Sequence, residues 1–286
     1  RREAEGDASY VRDLCEREGV SCCVFREDVP AYAERSGLSE EEAGRLLRYQ
    51  DFRKYLEGWR EEDGGSVLRY RIATAHHGND QAETVLFQLF RGCGLSGLRG
   101  ILPERDDIIR PMLCLSKGEI EAYLRKKGIS WCEDKTNESE AYSRNRVRRQ
   151  ILPLADEICP GVVSHIGKTA EIVREAESYI RRQMEGAYIR ISSEHKGYIV
   201  FDINILLKED IFLQKQLILY GLGKISPGRR DIGMVHVEDI LKLARKQGNG
   251  TLCLPGRVRV RKSYRELAFF RKDEKDGGGE EKALRA

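Results

Sequence analysis

Residues 75–100 read AHHGNDQAETVLFQLFRGCGLSGLRG, and the turn at their start decides the fold. Just upstream, residues 70–75 (YRIATA) are apolar and β-prone, which predicts a short buried strand. The chain then turns through His76, His77 and Gly78, with Asn79 the expected cap of a helix running to Arg91. Within it Ala82, Val85, Leu86, Leu89 and Phe90 recur at helical spacing and predict the buried face. A strand feeding directly into a helix is the unit of open α/β sheets, where ligands bind outside the carboxyl ends of strands. Asp80 and Glu83 are three apart, so both carboxylates share one helical face, opposite the Val85/Leu89 stripe. Paired acids there suit a metal ion or an ammonium group, although the helix start alone favours an anion. Each also has an ordinary structural reading: Asp80 as a first-turn charge, Glu83 as a surface acid, His76 and His77 as turn residues.

The same alternation extends outward. Residues 3–18 predict a helix stopped by Gly19, and residues 20–25 (VSCCVF) are β-rich and predict a strand. Ser39 with Glu42 predicts a capping box opening a helix to about Trp59, and Gly64–Gly65 breaks the chain. A strand at residues 107–110 and a helix at residues 116–127 follow. The expected fold class is therefore α/β, a parallel sheet with flanking helices. Residues 144–185 read as helical with breaks at Pro153 and at Pro160–Gly161. Strands are then expected at 188–191, 198–202, 250–254, 257–262 and 267–270, with helices at 208–222 and 235–246. With a boundary near Glu185, the division is a first domain over 1–150, a helical linker over 151–186, and a small α+β domain over 187–272. Residues 273–286 form a charged tail.

The 286 residues carry a net charge of only +3, unevenly spread. Residues 1–63 sum to −6 and residues 224–272 to +9, so a polyanion is expected at the distal part, if it is more than a solvated basic face. No apolar run approaches the roughly 20 residues that cross a bilayer, and no secretory signal opens the chain, so a soluble, cytoplasmic protein is expected. The 8 cysteines form no C-x-x-C pair and read as reduced thiols acting as small hydrophobes.

The string from His76 to Thr84, followed by Arg91-Gly92-Cys93-Gly94-Leu95-Ser96-Gly97-Leu98, resembles the HHxDDQAET…RGxGxxGL signature of the tRNA(Ile)-lysidine synthetases. These are N-type pyrophosphatase-fold ATPases, so the first domain is expected to be adenine-nucleotide alpha-hydrolase-like. Asn79 departs from the Asp of many members, which shifts the weight to Asp80 and Glu83. Arg110-Pro111, SKGEIEAYLRKKGISWCED, Glu133-Asp134 with Asn137, and Ser143-Arg144-Asn145-Arg146-Val147-Arg148 are similar to later family motifs in the same order. Arg144 and Arg148 are four apart, so two guanidinium forks share a helical face suited to phosphate. GTLCLPGRVRVRKSYRELAFFR (250–271) resembles the family's small substrate-recognition domain. There Arg257, Arg259 and Arg261 are expected to alternate along a strand and face one way, forming with Lys262 and Tyr264 a basic, aromatic surface for RNA.

The resemblance implies ATP-dependent ligation of free L-lysine to C2 of the wobble cytidine of isoleucine tRNA with a CAU anticodon, through an adenylated cytidine. It implies ATP and Mg2+ as cofactors, no membrane partner, and is compatible with a homodimer. It gives catalytic roles to Asp80, Glu83 and Arg148, with Asp80 also a metal ligand. His76, His77, Arg144 and Asn145 would bind the nucleotide, and Arg257, Arg259, Arg261 and Lys262 the tRNA. Two other readings stay open: a related tRNA thiolase, disfavoured by the cysteine spacing, and a non-catalytic tRNA-binding remnant. The family's SGGxDS loop has no counterpart here; Gly64-Gly65-Ser66 is the nearest string, and no Asp-Ser follows. The expectation is thus an amino-terminally truncated member, its catalytic domain incomplete and a second carboxy-terminal domain absent, binding ATP poorly and inactive alone.

Overall fold

The computed structural model describes residues 2–62, 70–132, 143–226 and 231–271. The breaks expected at Gly64–Gly65, the Glu133-Asp134 and Asn137 motif, and the charged tail lie outside them. Contacts divide the chain into two units, Arg1–Arg174 and Glu175–Ala286.

In the first unit α1 (Arg2–Arg17) ends as expected at Gly19, whose φ of 67° lets the chain turn left-handed. The strand expected next is absent: residues 20–25 are exposed and join no sheet. Val-rich composition makes a strand only where a partner completes its hydrogen bonds, and no strand among the described residues does. α2 (Val29–Ser36) is capped by Asp28, and α3 (Glu40–Glu62) by Ser39, whose hydroxyl accepts from Glu42 N at 3.2 Å while Glu42 returns a bond to Ser39 N. β1 (Ile72–Ala73) follows, then α4 (Gly78–Phe90), the single turn α5 (Leu95–Leu98), β2 (Glu104–Arg105) and β3 (Ile108–Ile109). β1 pairs parallel with β3, Ile72 opposite Ile108, and β2 closes the other side of β3 antiparallel. A 3-10 turn (Pro111–Cys114) leads to α6 (Lys117–Lys127), capped by the Ser116–Glu119 box.

A helix from α7 (Ser143–Arg146) runs into α8 (Leu152–Ile158) without the break expected at Pro153. The connecting residues Val147–Ile151 widen into a π turn, with Leu152 N bonding to Val147 O. Proline offers no N–H, and the helix accommodates it by shifting the bonding pattern one turn before it. The core of this unit is small: Ala82 of α4 meets Val147 and Leu152, with the start of α9 (Val162–Ile191) behind them. It covers only the first turns of α4. Leu89 and Phe90, expected in the buried stripe, are therefore exposed.

The strand expected at residues 188–191 is instead the last turn of α9. Met184, Ala187, Tyr188 and Ile191 are the buried residues there, and their spacing is helical rather than alternating. The boundary expected near Glu185 accordingly falls inside a continuous helix. In the second unit β4 (Ser192–His195), β5 (Tyr198–Asp202), β6 (Gly250–Leu254), β7 (Val258–Ser263) and β8 (Glu266–Arg271) form one antiparallel sheet in the order β4-β5-β8-β7-β6. α10 (Ile203–Leu206), α11 (Ile211–Ile225) and α12 (Met234–Arg245) supply the remaining helices. One sheet face, carrying Ile199, Phe201, Val258, Val260, Leu267 and Phe269, packs with helix residues such as Leu217, Ile218, Val237 and Ile240. Every one of those ten is at most 5% exposed, so this face supplies most of the unit's hydrophobic stabilisation.

Candidate functional site

Where β1 ends, Thr74 N still bonds to Ile109 O at 3.0 Å, and four residues later Gly78 N bonds to Leu115 O at 2.7 Å. These two bonds fix both ends of the His76–His77 turn. The helix cap is His77 rather than Asn79: its backbone N–H donates to Asp80 Oδ2 at 3.0 Å. Asn79 turns outward, and its Oδ1 accepts from Lys117 N at 2.8 Å, serving the first turn of α6. His76 Nδ1 lies 2.9 Å from Thr74 Oγ1, and burial lowers its pKa, keeping the ring neutral near pH 7. His77 Nδ1 is buried without a hydrogen-bond partner, 3.5 Å from Asp80 Oδ2.

Glu83 does not lie on the surface; its side chain is 1% exposed. Arg148 grips it with one edge of its guanidinium, Nε to Oε1 at 2.6 Å and Nη2 to Oε2 at 3.0 Å. Arg144 adds Nε to Oε2 at 3.2 Å, and its Nη2 donates to Thr84 Oγ1 at 3.3 Å. Thr84 in turn donates to Asp80 O at 2.8 Å. Asp80 Oδ1 stands 3.6 Å from Arg148, and its side chain keeps 16% exposure. A fully buried carboxylate needs such pairing, and two guanidiniums need a shared counter-ion to sit side by side. The two acids, expected on one helical face, sit in different surroundings. Glu83 holds the arginines from beneath, whereas Asp80 sits at the helix start with its carboxylate only partly used. The arginines remain 40% and 35% exposed, so two cations are held in fixed positions yet reach solvent. Asn145 is half-buried on α7 beside Arg144.

Beside the cluster a cleft of about 2030 Å³ opens within the first unit. His77, Glu83 and Arg148 line it together with Arg110, Lys117 and Lys168. Among the described residues no group of three or more His, Cys, Asp or Glu is placed to cage a metal.

Gln81 is the site residue that sequence reasoning missed. It is 3% exposed, accepts from Ile101 N at 2.6 Å and donates to Arg99 O at 3.3 Å. It thereby ties α4 to the Gly-rich loop that follows. A polar residue flanked by buried alanine and acid was the available signal. Arg110, also buried, donates to Leu102 O at 2.7 Å and anchors the other end of that loop.

In the second unit the four expected RNA contacts do not act alike. Arg259 and Arg261 alternate on β7 as expected. Arg257 precedes the strand in a left-handed turn, φ 65°, and so falls outside that alternation. Lys262 points the other way and is 7% exposed; its ammonium donates to Ala244 O at 2.7 Å and to Lys246 O, closing the carboxyl end of α12. Strand alternation dictates this, because Lys262 is one residue out of step with Arg261. Lys262→Ala should therefore destabilise the fold by about 2–3 kcal/mol in a calorimetric melt. Arg261→Ala should leave the melt within about 0.5 kcal/mol. Equal melts for the two variants would return Lys262 to the surface.

A PP-loop domain model matches residues 1–155. A tRNA(Ile)-lysidine synthase of Caldanaerobacter subterraneus is 33% identical over 277 residues, covering 96% of this chain and 57% of the relative. The Geobacter sulfurreducens tRNA(Ile)-lysidine synthase is 34% identical over 274 residues, 94% of this chain and 56% of its own length. That of Chlorobaculum tepidum is 40% identical over 178 residues, 62% of this chain and 51% of the relative. The chain thus spans about half the length of these curated relatives. With a strand-turn-helix whose helix carries Asp80 in its first turn and clamps Arg144 and Arg148 through Glu83, and a family match over more than half its length, the chain belongs to the PP-loop family of ATP-binding α/β domains.

Proposed function

We propose that this chain carries out the work of a tRNA(Ile)-lysidine synthase: ATP-dependent joining of free lysine to C2 of the wobble cytidine in isoleucine tRNA with a CAU anticodon. The supporting observation is the pair of guanidiniums locked onto Glu83 near Asp80, with Glu83 and Arg148 lining a wide cleft. In this reading residues 1–150 belong to the ATP-handling domain, 151–186 are a helical linker, and 187–272 engage the tRNA.

Held arginines suit phosphate, because no reorganisation is needed when negative charge arrives. Arg148 and Arg144 would orient nucleotide phosphate against the cytidine, with His76, His77 and Asn145 lining the nucleotide's approach. Mg2+ bound through one carboxylate plus substrate phosphates needs no protein cage, and Asp80 fits that limited demand. The ion would offset charge on the departing pyrophosphate. Alternatively Asp80 receives the ammonium of lysine and aims its amine; Glu83, buried and saturated, is a positioning residue in either case.

The test is Asp80→Asn in the full-length protein. Labelled-lysine incorporation into the tRNA should fall about 10²–10³-fold, the effect of removing one preorganised electrostatic group. A raised KM for lysine identifies the ammonium partner; a raised Mg2+ requirement identifies the metal ligand. Unchanged incorporation at all concentrations would refute the assignment.

A further inference from the structure

The face of the five-stranded sheet opposite the helices has its own order. Register places Arg259 opposite Phe270, Phe270 opposite Tyr198, and Tyr198 opposite His195. Directly opposed residues share a face, so these four side chains form one row across β7, β8, β5 and β4. Strands ~4.8 Å apart make the row about 14 Å long. Tyr198, Phe270 and Arg259 are half-buried and His195 is exposed, whereas their sequence neighbours Ile199, Phe269 and Val260 are at most 4% exposed on the other face. His195 and Tyr198 already stack, centroids 4.5 Å apart and planes 14° from parallel. In the next row Arg261 lies opposite Ala268, and Ala268 opposite Val200, a shallow floor of small and branched side chains. Among the described residues the acids of this face, Glu266 and Asp202, are at its far end, where Asp202 is occupied in capping α10.

We propose that this sheet face is a stacking platform for unpaired RNA nucleotides. Two or three bases would lie on His195, Tyr198 and Phe270 while Arg259 and Arg261 meet the backbone. Aromatic rings on an open sheet accept bases of any kind, because every base has a stacking face, and flanking arginines neutralise phosphate. A base-paired stem cannot use such a row, since its bases are already stacked on each other. A second protein chain would gain little from a face whose central row carries Arg259 and whose next row carries a second arginine, Arg261. The inference deepens the tRNA reading, which it rests on, by assigning this unit the unpaired part of the tRNA rather than a helical stem.

The 286-residue chain is titrated against a fluorescein-labelled 12-mer of oligouridylate and against an RNA duplex of the same length. Single strand should bind more tightly. Tyr198→Ala and Phe270→Ala should each weaken it about 5- to 100-fold, while Tyr198→Phe retains binding. Arg261→Gln should flatten the log affinity–log salt slope by about 0.7, the loss of one phosphate contact, and the ring variants should leave that slope unchanged. Should Phe270→Ala fail to fold, photocrosslinks from 4-thiouridine in the oligomer must map to β5 or β8. Parental affinity in a folded Tyr198→Ala, preference for the duplex, or crosslinks confined to other elements would each overturn the platform. Lysidine formation that proceeds normally in full-length Tyr198→Ala with unchanged affinity defeats the platform alone. Its failure in parental full-length protein, with single strand still held by Tyr198 and Phe270, defeats the functional reading alone.

Discussion

Glu83→Gln is expected to destabilise the first unit by about 3–5 kcal/mol, the cost of breaking a buried ion pair by removing one partner. The carboxylate accepts three guanidinium bonds at 2.6, 3.0 and 3.2 Å. An amide offers one acceptor oxygen and turns its NH2 toward donors, so at least one bond becomes a donor facing a donor. Two cations would also face each other with only Asp80, 3.6 Å from Arg148, to offset them. Both tryptophans of the chain, Trp59 and Trp131, lie in the first unit, so tryptophan fluorescence in urea reports that unit alone. Asp80→Asn should shift the same midpoint far less, by about 0.5–2 kcal/mol for a weakened cap. The two acids thereby divide, one variant failing in stability and the other in activity. A Glu83→Gln midpoint equal to the parent's would show that the arginines hold themselves, and Glu83 would return to the reacting groups.

The arginines should differ as well. Arg148 makes two bonds to Glu83 and faces Asp80, whereas Arg144 makes one bond to Glu83 and one to Thr84. Lysine can reproduce a single contact but not a two-pronged one, so position 148 tolerates it less than position 144.

Much of this was legible in the sequence because it was local. The Ser39–Glu42 capping box, the helix over 116–127, the strand-turn-helix around His77, and the alternation of β7 each depend on neighbours a few residues apart. What failed depended on distant partners. Val20 to Phe25 has the composition of a strand but nothing described to pair with. The end of α9 reads as β-prone locally, yet Met184, Ala187, Tyr188 and Ile191 are buried at helical spacing. Glu83 looked exposed because an acid on a helix usually is; only arginines 61 and 65 residues away make its burial tolerable. Lys262 belongs with its neighbouring arginines by charge, and strand parity alone sends it to the opposite face. The separation of Asp80 from Glu83 is likewise tertiary, since spacing could say only that they share a side.

Gly100→Ala is expected to cost the first unit about 2–4 kcal/mol, although it adds one methyl to a loop. Gly100 has φ 62°, and a Cβ there would lie 2.5 Å from Gln81 Oε1. Left-handed backbone alone costs alanine about 1–2 kcal/mol. The remainder comes from displacing Gln81, a buried amide whose oxygen holds Ile101 N, because leaving such a group unpaired costs about 1–3 kcal/mol. Gly92 supplies the control: its φ is 72° and nothing lies within 4 Å of an added Cβ, so Gly92→Ala carries the backbone term alone. The difference between the two variants measures how firmly Gln81 couples α4 to the loop. In a Gln81→Ala background the extra cost of Gly100→Ala should vanish and leave the Gly92→Ala value, a coupling of about 1–3 kcal/mol in a double-mutant cycle. Additivity within about 0.5 kcal/mol would mean that the loop and the helix bearing Asp80 and Glu83 are held independently.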